Sequence, residues 1–150
     1  MFTRPAVAAL SAAWLLSACQ HAPADVPAAG GSAWFGTWSL RAEDAKGDPE
    51  TLIYSDAGNG AMRMESVEAG SVLVTRFDGR PAPDIGAKGA NRALAVTANS
   101  PTRYTWVFWS EGRPLVQGVN TLAPDGRSFT ERSWPVENPD KVFTLVYEKR

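Results

Sequence analysis

Histidine and cysteine are almost absent from this chain of 150 residues, which has one of each, His21 and Cys19. From residue 34 onward there is no imidazole or thiol for a Ser-His-Asp triad or a Cys-His dyad. The usual zinc, copper and haem ligand sets are excluded there too, and His21 alone is not a metal site, because such a site needs several converging ligands. A single cysteine also excludes an intramolecular disulfide. We therefore expect no metal, no cofactor and no enzyme built on these groups.

The chain also lacks an excess of positive charge and a long apolar run near its start. It has 15 basic and 16 acidic residues and a net charge of −1, so we expect no basic surface of the kind that binds nucleic acid. The apolar run Ala6–Leu16 has 11 residues, whereas a bilayer-spanning helix needs about 20. Because it follows the positively charged Arg4, this run is typical of the hydrophobic part of a secretory signal peptide.

The residues that end this run, Leu16-Ser17-Ala18-Cys19, resemble the lipobox of bacterial lipoproteins. The resemblance implies that residues 1–18 are a signal peptide, that the Cys19 thiol receives a diacylglycerol, and that the chain is cut just before Cys19. Acyl chains hold such a terminus at the membrane, since each buried methylene contributes about 0.8 kcal/mol. The residue after the cysteine is Gln20 and not aspartate, and the resemblance implies that this favours the outer membrane over the inner one. We expect a lipid-anchored protein of the cell envelope that faces the periplasm; an ordinary secreted protein is the alternative.

The rest of the chain divides into a tether and one domain. Residues 19–33 are rich in Ala, Pro and Gly, as flexible linkers are, and residues 34–150 are long enough for one core. In this domain, runs rich in Val, Thr and aromatic residues alternate with Gly, Pro, Asp and Asn, which predicts strands and little helix. The strands are expected near 36–42, 51–56, 60–67, 71–77, 91–98, 102–109, 114–122, 127–134 and 141–148. Their spacing predicts an all-β fold, an antiparallel up-and-down meander of about 8–10 strands in a closed or nearly closed barrel; a small sandwich is the alternative.

The strand expected at 102–109 is unusually aromatic. Tyr104, Trp106 and Phe108 alternate with residues that include Val107 and Trp109. Successive side chains of a strand point to opposite faces, so both faces of this strand are apolar. The pattern leaves open which of the two faces is buried.

The hairpin that follows this strand has two possible registers. A three-residue loop at 110–112 would place Trp106 opposite Val116, whereas a two-residue loop would place Trp106 opposite Gln117. The three-residue loop is preferred, because it avoids a positive φ at Glu111.

The domain opens on Gly36-Thr37-Trp38, which resembles the Gly-x-Trp motif on the first strand of lipocalins and related calycin barrels. The resemblance implies that Trp38 closes the barrel base and stacks on a basic residue near the chain's end, where Lys149 and Arg150 are available. An ordinary core tryptophan is the alternative. The chain is also similar to a group of small secreted, lipocalin-like bacterial β proteins with no established activity, through its Asp-Gly-Arg segments at 78–80 and 125–127 and its Tyr-Glu-Lys segment at 147–149.

Two functions fit this sequence. In the first, the barrel is a non-enzymatic binding domain for a small hydrophobic or amphiphilic ligand, lined by the aromatic side chains of Tyr104, Trp106, Phe108 and Phe129. In the second, it is an envelope interaction or structural module whose core is dry and whose outward aromatic residues contact a protein or the membrane surface.

Paired carboxylates are the remaining option for catalysis. A glycoside hydrolase uses two such groups across a cleft, and the sequence clusters acids in two places, Asp44 to Glu50 and Glu65 to Glu68. Solvated turn and edge residues explain both clusters more simply. We therefore expect a protein that is not an enzyme.

Overall fold

One antiparallel sheet makes up nearly all of the domain. The computed structural model describes residues 31–86 and 91–150; Cys19, the predicted signal peptide at 1–18 and most of the predicted tether at 19–33 lie outside these residues. Two short helical segments, a 3₁₀ turn at Ser32–Trp34 and helix α1 at Ala42–Ala45, flank the first strand. The ten strands are β1 Gly36–Leu40, β2 Thr51–Gly58, β3 Ala61–Ser66, β4 Ser71–Thr75, β5 Asp78–Pro83, β6 Arg92–Ser100, β7 Arg103–Ser110, β8 Arg113–Leu122, β9 Ser128–Pro135 and β10 Phe143–Lys149.

The strands form a meander in which nearly every strand pairs with its neighbours along the chain. Their order in the sheet is β4-β3-β2-β1-β10-β9-β8-β7-β6-β5. The first and last strands pair with each other, Trp38 opposite Lys149 and Leu40 opposite Tyr147, and this pairing curls the sheet into a barrel. The expected all-β, nearly closed antiparallel barrel is therefore confirmed. Neither described range contains a helix long and apolar enough to cross a membrane.

The barrel is left open at one place, between its edge strands β4 and β5. The carboxylate of Asp84, just after β5, bridges this gap: it accepts hydrogen bonds from the backbone N–H of Val72 at 2.9 Å and from the Ser71 hydroxyl at 2.7 Å. The backbone N–H of Ile85 donates to the Val72 carbonyl at 2.8 Å. These bonds cover polar edge groups that a fully closed ladder would otherwise pair.

Strand β5 was not expected from the sequence, which places a loop there. The strand carries Pro81 and Pro83, residues that cannot donate a ladder hydrogen bond and so argue against a strand. That prediction is wrong because β5 is an edge strand that pairs only with β6. At an edge, the missing N–H groups of the prolines leave no inner ladder unpaired.

The β7–β8 hairpin departs from both predicted registers. Ser110 lies opposite Arg113, so the loop has two residues, and Glu111 does adopt a positive φ of 49°. A bulge in β8 then shifts the pairing by one residue, which brings Trp106 opposite Gly118. A Cβ atom added at Gly118 would lie 2.6 Å from the Trp106 ring. The ring therefore occupies the space that any larger residue at this position would need.

The narrow end of the barrel is filled by an aromatic cluster. Trp34, Trp38 and Phe129 are almost fully buried, and the Trp38 indole N–H donates to the Trp34 carbonyl at 2.8 Å. Phe129 packs edge-on against Trp38, with ring centroids 5.1 Å apart, and stacks on Tyr147 at 4.7 Å. Lys149 covers the cluster, with its Nζ atom 5.0 Å from the Trp38 ring. Trp38 thus lies at the base of the barrel beneath a basic residue of the last strand.

The strained turn at Glu111 leads to a stability prediction. Both central residues of this turn have positive φ, as a type I′ turn requires, and asparagine tolerates that conformation better than glutamate. We expect Glu111→Asn to raise the free energy of unfolding by about 0.5–1 kcal/mol in urea titrations. The matched change Glu137→Asn, at an exposed residue without positive φ, should give no such gain. An unchanged or lower stability for Glu111→Asn would contradict the turn geometry.

Candidate functional site

The barrel interior is not filled by side chains. A cavity of about 370 Å³ lies above the aromatic cluster. Its apolar lining comes from seven of the strands and consists of Leu52, Met64, Leu73, Ala93, Leu94, Phe108, Val116 and Leu145. Polar side chains reach the same space from β2, β3, β4, β7, β8, β9 and β10, and from Glu50 and Asp84 just outside the strands. An apolar cavity with a few fixed polar groups is the usual form of a small-molecule site.

Three of the four predicted pocket residues line this cavity. Tyr104, Trp106 and Phe108 all face it, so the face of β7 that the sequence left open is the inner one. Val107 and Trp109, on the alternate positions, lie on the outer face of the sheet. Phe129 is not among the lining residues; it lies in the aromatic cluster below, against Trp38 and Tyr147.

Hydrogen bonds hold the aromatic lining of β7 in place. The Trp106 indole N–H donates to Asn120 Oδ1 at 2.8 Å, and Asn120 Nδ2 donates to the Tyr104 hydroxyl at 2.9 Å. The hydroxyls of Tyr104 and Tyr54 lie 3.3 Å apart. Burial raises the pKa of both tyrosines. They are therefore neutral hydrogen-bonding groups, and the network fixes one wall of the cavity.

Two acidic residues face the cavity beside this network. Glu50 accepts hydrogen bonds from the Tyr147 hydroxyl at 2.6 Å and from the Ser66 hydroxyl at 3.3 Å. The polar side chains of Ser133 and Asn120 favour the ionised form of Glu131. Burial outweighs them and, together with the charge of Glu50, raises the pKa of Glu131 to about 7. Glu131 therefore exchanges its proton near neutral pH.

Sequence reasoning missed this acidic pair. The sequence pattern favours a solvated turn position for Glu50, and it assigns no role to Glu131. A usable signal was the alternation of β9: Glu131 is two residues from the apolar Phe129, so both share one face. The interior position follows once that face is known to be buried.

The acid clusters that the sequence suggested do not form a catalytic pair. Asp44 accepts a hydrogen bond from the backbone N–H of Val146 at 3.1 Å, and Glu68 accepts one from that of Thr51 at 2.6 Å. Asp44 thus anchors helix α1 to β10, and Glu68 anchors the β3–β4 turn to β2. Glu65 reaches the cavity but is paired with Arg63. Within the described ranges, no group of three or more His, Cys, Asp or Glu residues is arranged to hold a metal ion.

Comparison with known proteins supports the class of fold. No protein-family model and no curated protein sequence matches the chain. Among solved structures, the chain is similar to a fatty acid binding protein of Schistosoma mansoni in complex with arachidonic acid, with a TM-score of 0.59 and 16% identity over 79% of this chain and 97% of that one. It is also similar to the N57A mutant of the fluorescent protein UnaG, with a TM-score of 0.53 and 14% identity over 79% of this chain and 96% of that one.

These likenesses define the fold class of this domain. Both structures are matched over almost their whole length, so the shared part is the complete barrel. The domain is a calycin-like β barrel. At identities this low the likeness concerns the fold alone and does not extend to the chemistry of the site.

The raised pKa of Glu131 leads to a prediction about stability and pH. Because its pKa rises from an ordinary 4.5 to about 7 on folding, the folded state holds the proton more tightly than the unfolded one. This group therefore favours folding most below pH 4.5, and that contribution falls as the pH rises to about 7. We expect Glu131→Gln to stabilise the protein at pH 8, relative to its effect at pH 5, by on the order of 2–3 kcal/mol.

Urea unfolding of both proteins at pH 5 and pH 8 measures this difference. Glu137→Gln, the same substitution at an exposed residue of the β9–β10 loop, should shift neither value. Equal effects of Glu131→Gln at the two pH values would show that Glu131 ionises as an ordinary surface carboxylate.

Proposed function

We propose that this barrel is a non-enzymatic binding protein for a small amphiphilic molecule, held in the cavity between β7, β8 and β2. The observation that carries the proposal is the cavity of about 370 Å³ with an apolar lining and fixed hydrogen-bonding groups. At about 30 Å³ for each non-hydrogen atom, the volume of a water molecule in the liquid, it has room for roughly a dozen such atoms. The ligand is therefore small.

The distribution of polar groups favours an amphiphile over a purely apolar ligand. Along the inner face of β7, Tyr104 lies opposite Asn120 and Phe108 lies opposite Val116. Four residues of strand separate these two levels by about 13 Å. One end of the cavity can therefore hydrogen-bond a head group while the other covers an alkyl chain.

The comparison adds weight to binding as the activity. The Schistosoma mansoni protein is named as a fatty acid binding protein and was solved with arachidonic acid. The likeness in fold supports only the general proposal that this barrel binds a small hydrophobic molecule.

Two other functions receive less support. An interaction module with a dry core would need an interior filled by side chains, and this one has a cavity. Two carboxyl groups with different environments, Glu50 and Glu131, could serve as an acid and a base. The remaining lining is mainly aliphatic and aromatic, which suits an alkyl chain better than a sugar.

We further propose that the protein is anchored in the outer membrane by a lipid on Cys19 and faces the periplasm. The lipobox sequence Leu16-Ser17-Ala18-Cys19 supports this. A domain held on a tether beside a membrane would meet amphiphilic molecules at high local concentration.

The cavity can be tested with a neutral fluorescent probe, N-phenyl-1-naphthylamine. We expect saturable binding with one site for each protein, and at least a tenfold loss in Val116→Trp, because the larger ring occupies the cavity. Leu115→Trp is the matched control, since Leu115 is the exposed neighbour on the same strand. Thermal unfolding of both variants checks that each is folded. Equal binding by the two variants, or none by the parent protein, would rule out the cavity as the site.

The lipid anchor can be tested by growing a bacterium that expresses the chain with radiolabelled palmitate. We expect label on the wild-type protein and recovery in the outer-membrane fraction. Cys19→Ser should lose the label. Label that persists in Cys19→Ser, or a wild-type protein without label, would contradict lipidation at this residue.

A further inference from the structure

The charges that face the cavity are all of one sign. Four acidic residues, Glu50, Glu65, Asp84 and Glu131, contribute to its lining, and no described lining residue is Lys, Arg or His. Two of the four have their own counter-charge, because Glu65 pairs with Arg63 and Asp84 pairs with Arg92 at 3.0 Å. Glu50 and Glu131 are left without a cation among the described residues.

The partners of these two carboxylates are neutral. Glu50 accepts hydrogen bonds from the hydroxyls of Tyr147 and Ser66, and the polar groups that favour the ionised form of Glu131 are the neutral side chains of Ser133 and Asn120. Neutral donors satisfy hydrogen bonds but do not cancel charge, so a second negative charge in the same cavity is costly. That cost is removed when a cation enters.

We propose that the cavity prefers a cationic amphiphile, a primary ammonium on a short alkyl chain, to a carboxylate of the same size, because Glu50 and Glu131 face the cavity with no basic residue beside them. The inference rests on the proposed binding function and specifies its ligand class. The ammonium would take the place beside the two carboxylates and donate its three N–H groups to them and to nearby oxygens. The alkyl chain would extend along the apolar lining toward Phe108 and Val116.

A fatty acid would meet the opposite environment. Its carboxylate at the polar end would lie beside Glu50 and Glu131, and like charges a few ångströms apart in a low-dielectric site repel strongly. Turning the chain round would place the carboxylate beside Phe108 and Val116. Asp84, next to β6, also lines the cavity, and its cation Arg92 is already paired with it at 3.0 Å. Neither orientation supplies the cation that a bound carboxylate needs.

The preference should also depend on pH. The titratable groups facing Glu131 are Glu50, Tyr54, Tyr104 and Tyr147. Burial raises the pKa of the three tyrosines, so they stay neutral, and Glu131, whose pKa is about 7, changes charge between pH 6 and pH 8. A bound ammonium stabilises the carboxylate form of Glu131. Its affinity should therefore rise over this range, while the affinity of an uncharged ligand should not.

The test compares three ligands with twelve non-hydrogen atoms each: undecylammonium, decanoate and decanamide. Titration calorimetry of the protein at pH 8 should show undecylammonium binding at least tenfold more tightly than decanoate and more tightly than decanamide. In the double variant Glu50→Gln, Glu131→Gln this preference should disappear while decanamide still binds. Glu137→Gln, outside the cavity, should keep the preference.

The outcomes separate this inference from the function beneath it. Decanoate or decanamide binding as tightly as undecylammonium, or a preference that persists in the double variant, would overturn the cationic ligand and leave a binding barrel. No binding of any of the three would overturn both. Should the double variant not fold, the single variants Glu50→Gln and Glu131→Gln each ought to weaken the binding of undecylammonium more than that of decanamide, and equal losses for the two ligands would count against the inference.

Discussion

The pairing of the first strand with the last is the constraint on which the rest of this structure depends. Only three residue pairs form it, from Trp38 and Lys149 to Leu40 and Tyr147, yet it turns an open meander into a barrel with an inside. The alternation of side chains along every strand then separates an interior from an exterior. Lys149 adds to this closure, since its ammonium lies over the Trp38 ring at the seam.

The interior is divided into a filled part and an empty part. At the narrow end, Trp34, Trp38 and Phe129 interlock and leave no room for a ligand. Above them, the inward-facing side chains leave a cavity. A core of this kind gives up packing contacts that a filled barrel would have. The lost contacts are tolerable because the aromatic cluster and the nearly closed ladder hold the wall in place.

The same interior holds buried polar groups, which differ in their effect on stability. Trp106, Asn120, Tyr104 and Tyr54 form a connected hydrogen-bonded chain, so their burial costs little. Glu131 differs, because its ionised form is disfavoured by burial and by Glu50. A replacement by an uncharged residue would satisfy the fold better, and groups that disfavour the folded state at a cavity are commonly kept for binding or catalysis. A bound cation would lower the cost of ionising Glu131 beside Glu50.

Local sequence patterns are enough to predict the class of the fold, because strand-forming runs between turn residues admit few arrangements other than a meander. The same patterns predict that Tyr104, Trp106 and Phe108 share one face of the strand, since alternation is a local property of a strand. Three other features depend on tertiary structure: which face of β7 is buried, the one-residue shift at the β8 bulge, and the edge strand with Pro81. So does the meeting of Glu50 with Glu131, 81 positions apart in the sequence. Such contacts depend on barrel closure, and no local pattern encodes which distant strands will face each other across the interior.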